Sequence, residues 1–203
     1  MDEYQFEYID VDCGITMFGG LSGSSLPCFL LSMENDCGTL QSIEVECWGE
    51  TAKHTVLAAA KLAKQRGAKR LLFTDISTKH IGDTYFRLSN MYVLTSGKTW
   101  YESILPIHLV REQDAQDVAI WREQVLTNTW QTVYECLRHR KPDIHIPDEC
   151  LEGVDVHQKG SASIVLTKIK NMQTDFFVKY TSALILCSGI GSLHGLDWEA
   201  DLS

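Results

Sequence analysis

The chain has 203 residues, of which 44% are hydrophobic and 22% are charged, and it contains five tryptophans. This composition excludes an intrinsically disordered or fibrous protein and allows a substantial hydrophobic core in one domain with an added segment. The formal net charge of -9 repels polyphosphate on average, so the sequence predicts no nucleic-acid partner.

The first quarter of the chain predicts an antiparallel meander. Short runs of β-branched and aromatic residues alternate with polar or glycine-rich connectors. The connector at residues 34–38 contains asparagine, aspartate and glycine, which favour a hairpin turn. The predicted strands are residues 6–11, 15–18, 27–33 and 40–46.

The clearest element is a helix predicted over residues 52–66. Thr51 is a suitable N-cap, small and apolar residues recur on one face, and Gly67 ends the helix. A buried strand is predicted directly afterwards, at residues 69–75. Because strand, helix and strand follow one another closely, we expect residues 40–75 to form a unit whose two strands pair in parallel.

The rest of the chain predicts more helix than strand. Residues 86–105 fit two short helices separated by Gly97, and Pro106 ends the second. The spacing of apolar residues predicts one long helix at residues 113–139. The remaining predictions are a strand at 107–110, a loop at 141–159, a strand at 163–169, and a helix or a strand at 175–187.

Together these elements predict an α+β (mixed α/β) fold with a central mixed sheet flanked by helices. Residues 1–110 would form the sheet-containing core. Residues 111–203 would form an extension of helices and strands, packed on the same core as a single compact unit.

The seven cysteines are spaced irregularly, and several lie within apolar runs. An odd number without a regular framework predicts free thiols in a reducing compartment. The first residues are acidic where a targeting segment is basic, and no apolar stretch reaches the roughly 20 residues that span a bilayer. We therefore expect an intracellular, cytoplasmic protein without a membrane span. The cysteines are Cys13, Cys28, Cys37, Cys47, Cys136, Cys150 and Cys187.

A glycine-rich run, Gly-Ile-Gly-Ser-Leu-His-Gly, occupies residues 189–195 after an apolar segment. The pattern resembles that of a strand that leads into a phosphate-binding loop. A dinucleotide site also needs a following helix, a second strand and an acidic residue about 20 positions later, which the remaining residues do not supply. We therefore interpret the run as a glycine-rich turn.

Cys136, His139, His145 and Cys150 offer thiolate and imidazole groups, the ligand types that zinc prefers. Their spacing differs from that of a standard zinc finger. Two interpretations remain, a zinc site or a core thiol with surface histidines, and the spacing favours the second.

Residues 60–73, Ala-Lys-Leu-Ala-Lys-Gln-Arg-Gly-Ala-Lys-Arg-Leu-Leu-Phe, resemble the step from cofactor helix to strand in the GNAT family of N-acetyltransferases. The triplet Trp-Tyr-Glu at residues 100–102 resembles the later tyrosine-bearing helix of that family. In the family a meander leads to a strand, a cofactor helix, a strand and a second helix, as predicted here. Residues 95–102 are also similar to a segment that recurs in uncharacterised proteins of large DNA viruses.

The resemblance implies a GNAT-like fold and acyl transfer from acetyl-coenzyme A to an amine. The start of the cofactor helix would receive the cofactor pyrophosphate on backbone amides. Glu44 or Glu46 would be the general base, and Tyr101 would protonate the departing thiolate. The implied cofactor-binding positions are Trp48, Gly49, Thr51, Lys53 and His54.

This sequence departs from the family pattern at the cofactor loop. The family has Gln/Arg-x-x-Gly-x-Gly/Ala there, whereas residues 48–54 are Trp-Gly-Glu-Thr-Ala-Lys-His. Glu50 would place a carboxylate near the phosphates, which Lys53 and His54 would partly offset. Two functions therefore remain: an acetyltransferase-like viral enzyme, or a non-catalytic interaction or virion protein that has kept the scaffold. The second would associate with itself or with another viral protein.

Overall fold

The computed structural model describes residues 6–11, 14–19, 28–43, 52–75, 78–81, 84–193 and 195–203. The chain divides into two compact units. The sheet unit comprises the described residues of Met1–Thr74, Tyr101–Val110 and Asp197–Ser203. The helical unit comprises those of Asp75–Trp100 and Arg111–Leu196. The predicted division of the chain at residue 110 into core and extension stays a prediction.

The described residues contain both strands and helices, which confirms the mixed α+β class. The strands are β1 (Phe6–Val11), β2 (Gly14–Gly19), β3 (Phe29–Glu34), β4 (Cys37–Ile43), β5 (Arg70–Thr74), β6 (Thr78–Ile81), β7 (Thr84–Arg87), β8 (Ile107–Leu109) and β9 (Asp197–Asp201). The helices are α1 (Ala52–Gln65), α2 (Leu88–Ser96), α3 (Glu112–Thr127), α4 (Trp130–Arg140), α5 (Asp148–Leu151), α6 (Ser161–Met172) and α7 (Thr174–Ser188), with a short 3-10 helix at Tyr101–Ser103.

Seven strands form one sheet in the order β1-β2-β3-β4-β5-β9-β8. Strands β1 to β4 form the predicted antiparallel meander. The predicted parallel pairing of β4 with β5 is also confirmed. Strand β9 was not predicted; it lies between β5 and β8 and is antiparallel to both.

The hairpin predicted at residues 34–38 joins β3 to β4. Asn35 has a φ of 55°, a left-handed conformation that asparagine adopts more readily than most residues. The carbonyl of Asp36 accepts hydrogen bonds from the backbone N–H groups of Lys69 at 2.7 Å and Arg70 at 3.4 Å. The turn is thereby attached to the start of β5.

Helix α1 packs closely on the sheet because both surfaces are small at the contact. Ala59 and Ala63 are fully buried on the helix, and Gly38 of β4 faces Ala63. A Cβ atom at Gly38 would lie 3.2 Å from the Cβ of Ala63 and 3.3 Å from Cδ1 of Leu71. A larger residue at position 38 would therefore push the helix away from β4 and β5.

We expect Gly38→Val to lower the free energy of unfolding by about 2 kcal/mol, because the crowding outweighs the gain in strand propensity. Urea denaturation measures the change. Thr39→Val is the matched control, since Thr39 is half-buried and points to the opposite face of β4, and its stability should stay near that of the parent protein. Equal stability of the two variants would contradict the close packing of α1 on Gly38.

The helix predicted over residues 113–139 is wrong as a single element. Helix α3 ends at Thr127 and α4 begins at Trp130. The hydroxyl of Thr129 accepts a hydrogen bond from the N–H of Thr132 at 3.2 Å and so caps α4. Asn128 donates its side-chain amide to the carbonyl of Ser188 at 2.9 Å. Two polar residues within the apolar pattern therefore end one helix and start the next.

The strand predicted at residues 163–169 is also wrong, because this segment lies within α6. Val165, Leu166 and Ile169 are buried at helical spacing. The β-branched side chains of Val165 and Ile169 favoured a strand, but burial among the helices of this unit outweighs that local preference. The helix alternative at residues 175–187 is confirmed by α7, and Gly97 ends α2 as predicted.

A disulfide joins α4 to α7 and overturns the prediction of free thiols. The Cα atoms of Cys136 and Cys187 are 5.6 Å apart, and the two sulfurs are bonded. Cys28 is also disulfide-bonded. Among the described cysteines, Cys37 and Cys150 are free. The irregular spacing hid the pairing because the two partners are 51 residues apart on different helices.

Within the described ranges, no helix is long and apolar enough to cross a membrane.

Candidate functional site

The parallel strands β4 and β5 stop pairing before β4 ends. Their register runs from Cys37 opposite Arg70 to Leu40 opposite Phe73, and β4 then continues to Ile43. In open sheets, ligands bind beyond the carboxyl ends of parallel strands. This end of the sheet unit is therefore the candidate site.

The first turn of α1 follows β4 in the chain and carries Lys53 and His54. Lys53 is exposed and His54 is half-buried, and the turn contains no acidic residue. The free N–H groups of a helix start attract anions, and basic side chains add to that attraction. These two predicted residues therefore suit a phosphate-bearing ligand.

Tyr101 lies in the 3-10 helix and is almost completely buried, with 7% of its surface exposed. Its ring centroid is 4.6 Å from that of Phe73, the last residue of β5 that pairs with β4. The packing fixes the ring at the carboxyl end of β5. The resemblance implies that its hydroxyl donates a proton, and this role stays a prediction.

Asp197, at the start of β9, lies at the same end of the sheet. Its carboxylate accepts a hydrogen bond of 2.6 Å from the hydroxyl of Thr74, the last residue of β5. Sequence reasoning missed Asp197 because β9 itself was missed. The alternation of Asp-Trp-Glu-Ala-Asp, with Trp198 and Ala200 buried, was the available signal.

Glu199, two residues along the same face of β9, pairs with Arg70 and lies close to His108. Its carboxylate oxygens lie 3.4 Å from Arg70 and 3.5 Å from Nε2 of His108. Arg70 and His108 are largely exposed, so the pairs stabilise the fold only weakly. Asp197, in contrast, has no basic partner within ion-pair distance in the part of the chain that the structure describes.

Five predicted site residues lie outside the described residues. They are the two alternative bases and three positions of the cofactor loop: Glu44, Glu46, Trp48, Gly49 and Thr51. Their roles stay predictions.

The two free thiols in the described part of the chain are poor nucleophiles. Burial raises the pKa of the Cys37 thiol, although the neighbouring Arg70 guanidinium acts in the opposite direction. Burial also raises the pKa of Cys150, and the carboxylate of Glu149 adds to the effect. A raised pKa leaves less of the reactive thiolate near neutral pH. Neither residue therefore has the environment of a catalytic cysteine.

The four candidate zinc ligands do not form a site in this structure. Cys136 is bonded to Cys187 in the disulfide, and Cys150 is buried with its sulfur 3.7 Å from that of Met172. His139 and His145 are exposed. Within the described residues, no group of three or more histidine, cysteine or acidic side chains is arranged to hold a metal ion.

The glycine-rich run at residues 189–195 follows helix α7, not a strand. Gly189 has a φ of 71° and ends the helix. A Cβ atom at Gly191 would lie only 2.2 Å from the indole of Trp121. These two glycines are therefore explained by a helix end and by packing.

Comparison with known protein families, with curated proteins and with solved structures gives no match for this chain.

Proposed function

We propose that this chain is an acetyltransferase-like protein of a large DNA virus, which transfers an acyl group from acyl-coenzyme A to an amine on a GNAT-like scaffold. One observation carries the proposal: the parallel β4-α1-β5 unit stops pairing at its carboxyl end, where Tyr101 packs on Phe73. The meander before this unit has the order that the resemblance implies.

The cofactor pyrophosphate would lie at the start of α1, with Lys53 and His54 nearby. The amine nitrogen attacks the thioester carbonyl carbon, the carbon–sulfur bond breaks, and the amine loses a proton to a carboxylate. Glu44 or Glu46 accepts this proton in the proposal. Tyr101 donates its hydroxyl proton to the departing thiolate. Holding the two reactants together supplies much of the remaining acceleration.

Acetyl-coenzyme A should raise the melting temperature of the purified protein by about 5 to 10 °C at a hundred times its dissociation constant. The physical reason is that the ligand binds the folded state and not the unfolded chain. Lys53→Glu should weaken the response, since it places a carboxylate at the start of α1. Lys61→Glu, which changes an exposed lysine in the later part of the same helix, is the matched control and should keep it. A flat response of the parent protein at millimolar acetyl-coenzyme A would contradict the proposal.

A non-catalytic interaction or virion-associated protein is the second candidate, and the disulfides favour it. Bonded cysteines are typical of proteins that mature in, or are released to, an oxidising environment. Exposed apolar side chains on the helical unit would supply contact area for self-association or another viral protein: Ile120, Leu126, Ile164 and Leu186. This candidate predicts elution above the monomer size and no response to acetyl-coenzyme A.

The location of the protein, in the cell or in the virion, depends on which of the two candidate functions is correct. An active acyltransferase would work in the cytoplasm of an infected cell, and a structural protein would be packaged in the virion. The absence of a nucleic-acid partner stays a prediction that rests on the net charge of -9.

A further inference from the structure

The amino-terminal end of α2 has no capping group. Arg87 occupies the N-cap position in an extended conformation and makes no side-chain cap. The first turn contains no acidic residue. The first N–H groups of a helix lack partners within the helix, and together with the helix dipole they attract negative charge. This end of α2 is therefore electropositive.

Two buried side chains in this turn each carry a polar atom without a hydrogen-bond partner among the described residues. Ser89 and Asn90 are each 1% exposed. The hydroxyl of Ser89 and the side-chain nitrogen of Asn90 both lack a partner. A buried unpaired donor destabilises the fold, so such groups are rare in folded proteins and usually face a water or an ion.

The amide of Asn90 is aimed at the segment that follows α7. Its oxygen accepts a hydrogen bond of 3.3 Å from the backbone N–H of Leu193. The nitrogen of this amide is bonded to the same carbon as the oxygen, so the unpaired donor lies close to the segment. A contact between residues 103 positions apart thus holds the amide in place.

Arg87 reaches the same segment from the surface. Its guanidinium donates to the hydroxyl of Ser192 at 2.7 Å, and both side chains are exposed. A guanidinium has five N–H donors, and no carboxylate pairs with this one in the described part of the chain. The outer side of the cluster is consequently open to solvent, whereas Asn90 is inside.

We propose that the start of α2, with Arg87, Asn90 and the Ser192–Leu193 segment, binds a small oxyanion such as a phosphate group. The site supplies the Arg87 guanidinium, a buried amide donor and the N–H groups of the helix start. An anion with several oxygens can accept hydrogen bonds from all of these donors. The backbone of Asp75 also contacts this segment, at Gly195 and Leu196.

The proposed oxyanion site differs from the phosphate-binding loop that the sequence of the glycine-rich run resembles. Gly189 and Gly191 are explained by the helix end and by Trp121. The proposed donors come instead from α2, which precedes the run by about 100 residues in the chain. In this proposal the anion binds to α2, which comes before the glycine-rich run in the chain. Binding therefore does not require a helix after the run.

Inorganic phosphate titrated at constant ionic strength should raise the melting temperature in a saturable way, with sodium chloride as the reference. Amide NMR of the parent protein should show the Leu193 N–H and the Asn90 side-chain amide shifting along the same binding curve. An acetate titration separates phosphate from carboxylate binding: a stronger response to acetate would assign the site to carboxylates.

Arg87→Gln should weaken phosphate binding by about tenfold, because it removes the charge and the fork. Arg138→Gln is the matched control, since Arg138 is an exposed arginine in the last turn of α4, and it should leave the binding curve unchanged. A response equal to that of sodium chloride, or NMR shifts that leave Asn90 and Leu193 unmoved, would overturn the proposal and assign water to the buried donors. Loss of binding in Arg138→Gln with retention in Arg87→Gln would also overturn it.

Discussion

Tyr101→Phe is expected to reduce acyl transfer from acetyl-coenzyme A by about a hundredfold to a thousandfold while leaving cofactor binding intact. The ring would still pack on Phe73, at a centroid distance of 4.6 Å, so the site keeps its shape. Only the hydroxyl group is lost, and without its proton the thiolate leaves unprotonated. The expected cost in stability is about 1 kcal/mol, because one buried hydroxyl is removed.

Release of coenzyme A thiol, measured at saturating acetyl-coenzyme A with a panel of amines, gives the turnover. The melting-temperature response to acetyl-coenzyme A gives binding independently. Tyr134→Phe is the control, since Tyr134 stacks on Trp130 in the helical unit with centroids 5.7 Å apart. If Tyr101→Phe turned over at the parent rate, Tyr101 would have only a packing role, even if acetyl-coenzyme A bound.

The parts of the fold that sequence predicted are those in which local and tertiary preferences agree. The β4-α1-β5 unit combines alanines on one helix face, a glycine stop at Gly67 and an apolar strand, and each signal indicates the same structure. The segment around Val165 is the opposite case. Its branched residues favour a strand locally, but α6 forms because its apolar face is buried among other helices.

The candidate site was predictable only in part, because its residues come from distant points of the chain. Tyr101 could be singled out through its resemblance to a family helix. Asp197 could not, because its position beside Thr74 depends on a strand pairing 123 residues apart. Asn90 and Leu193 likewise meet only through tertiary packing. The spacing of residues along the sequence does not indicate such contacts.

Removal of the disulfide between α4 and α7 should lower the free energy of unfolding by about 4 kcal/mol at 25 °C. The bond joins cysteines 51 residues apart, and closing a loop of that length restricts the unfolded chain strongly. The Cys136→Ser, Cys187→Ser double variant should therefore melt roughly 8 to 16 °C below the parent protein. Thermal unfolding of both proteins without reductant measures the difference.

Cys37→Ser is the control, because Cys37 is free and half-buried, and its melting temperature should stay close to that of the parent. Alkylation followed by mass spectrometry should leave Cys136 and Cys187 unmodified until a reductant is added. If both alkylated freely in the folded protein and the double variant kept its stability, the thiols would be reduced, as the sequence alone predicted. Protection of both cysteines would instead strengthen the virion-associated candidate, because a cytoplasmic enzyme rarely retains such a bond.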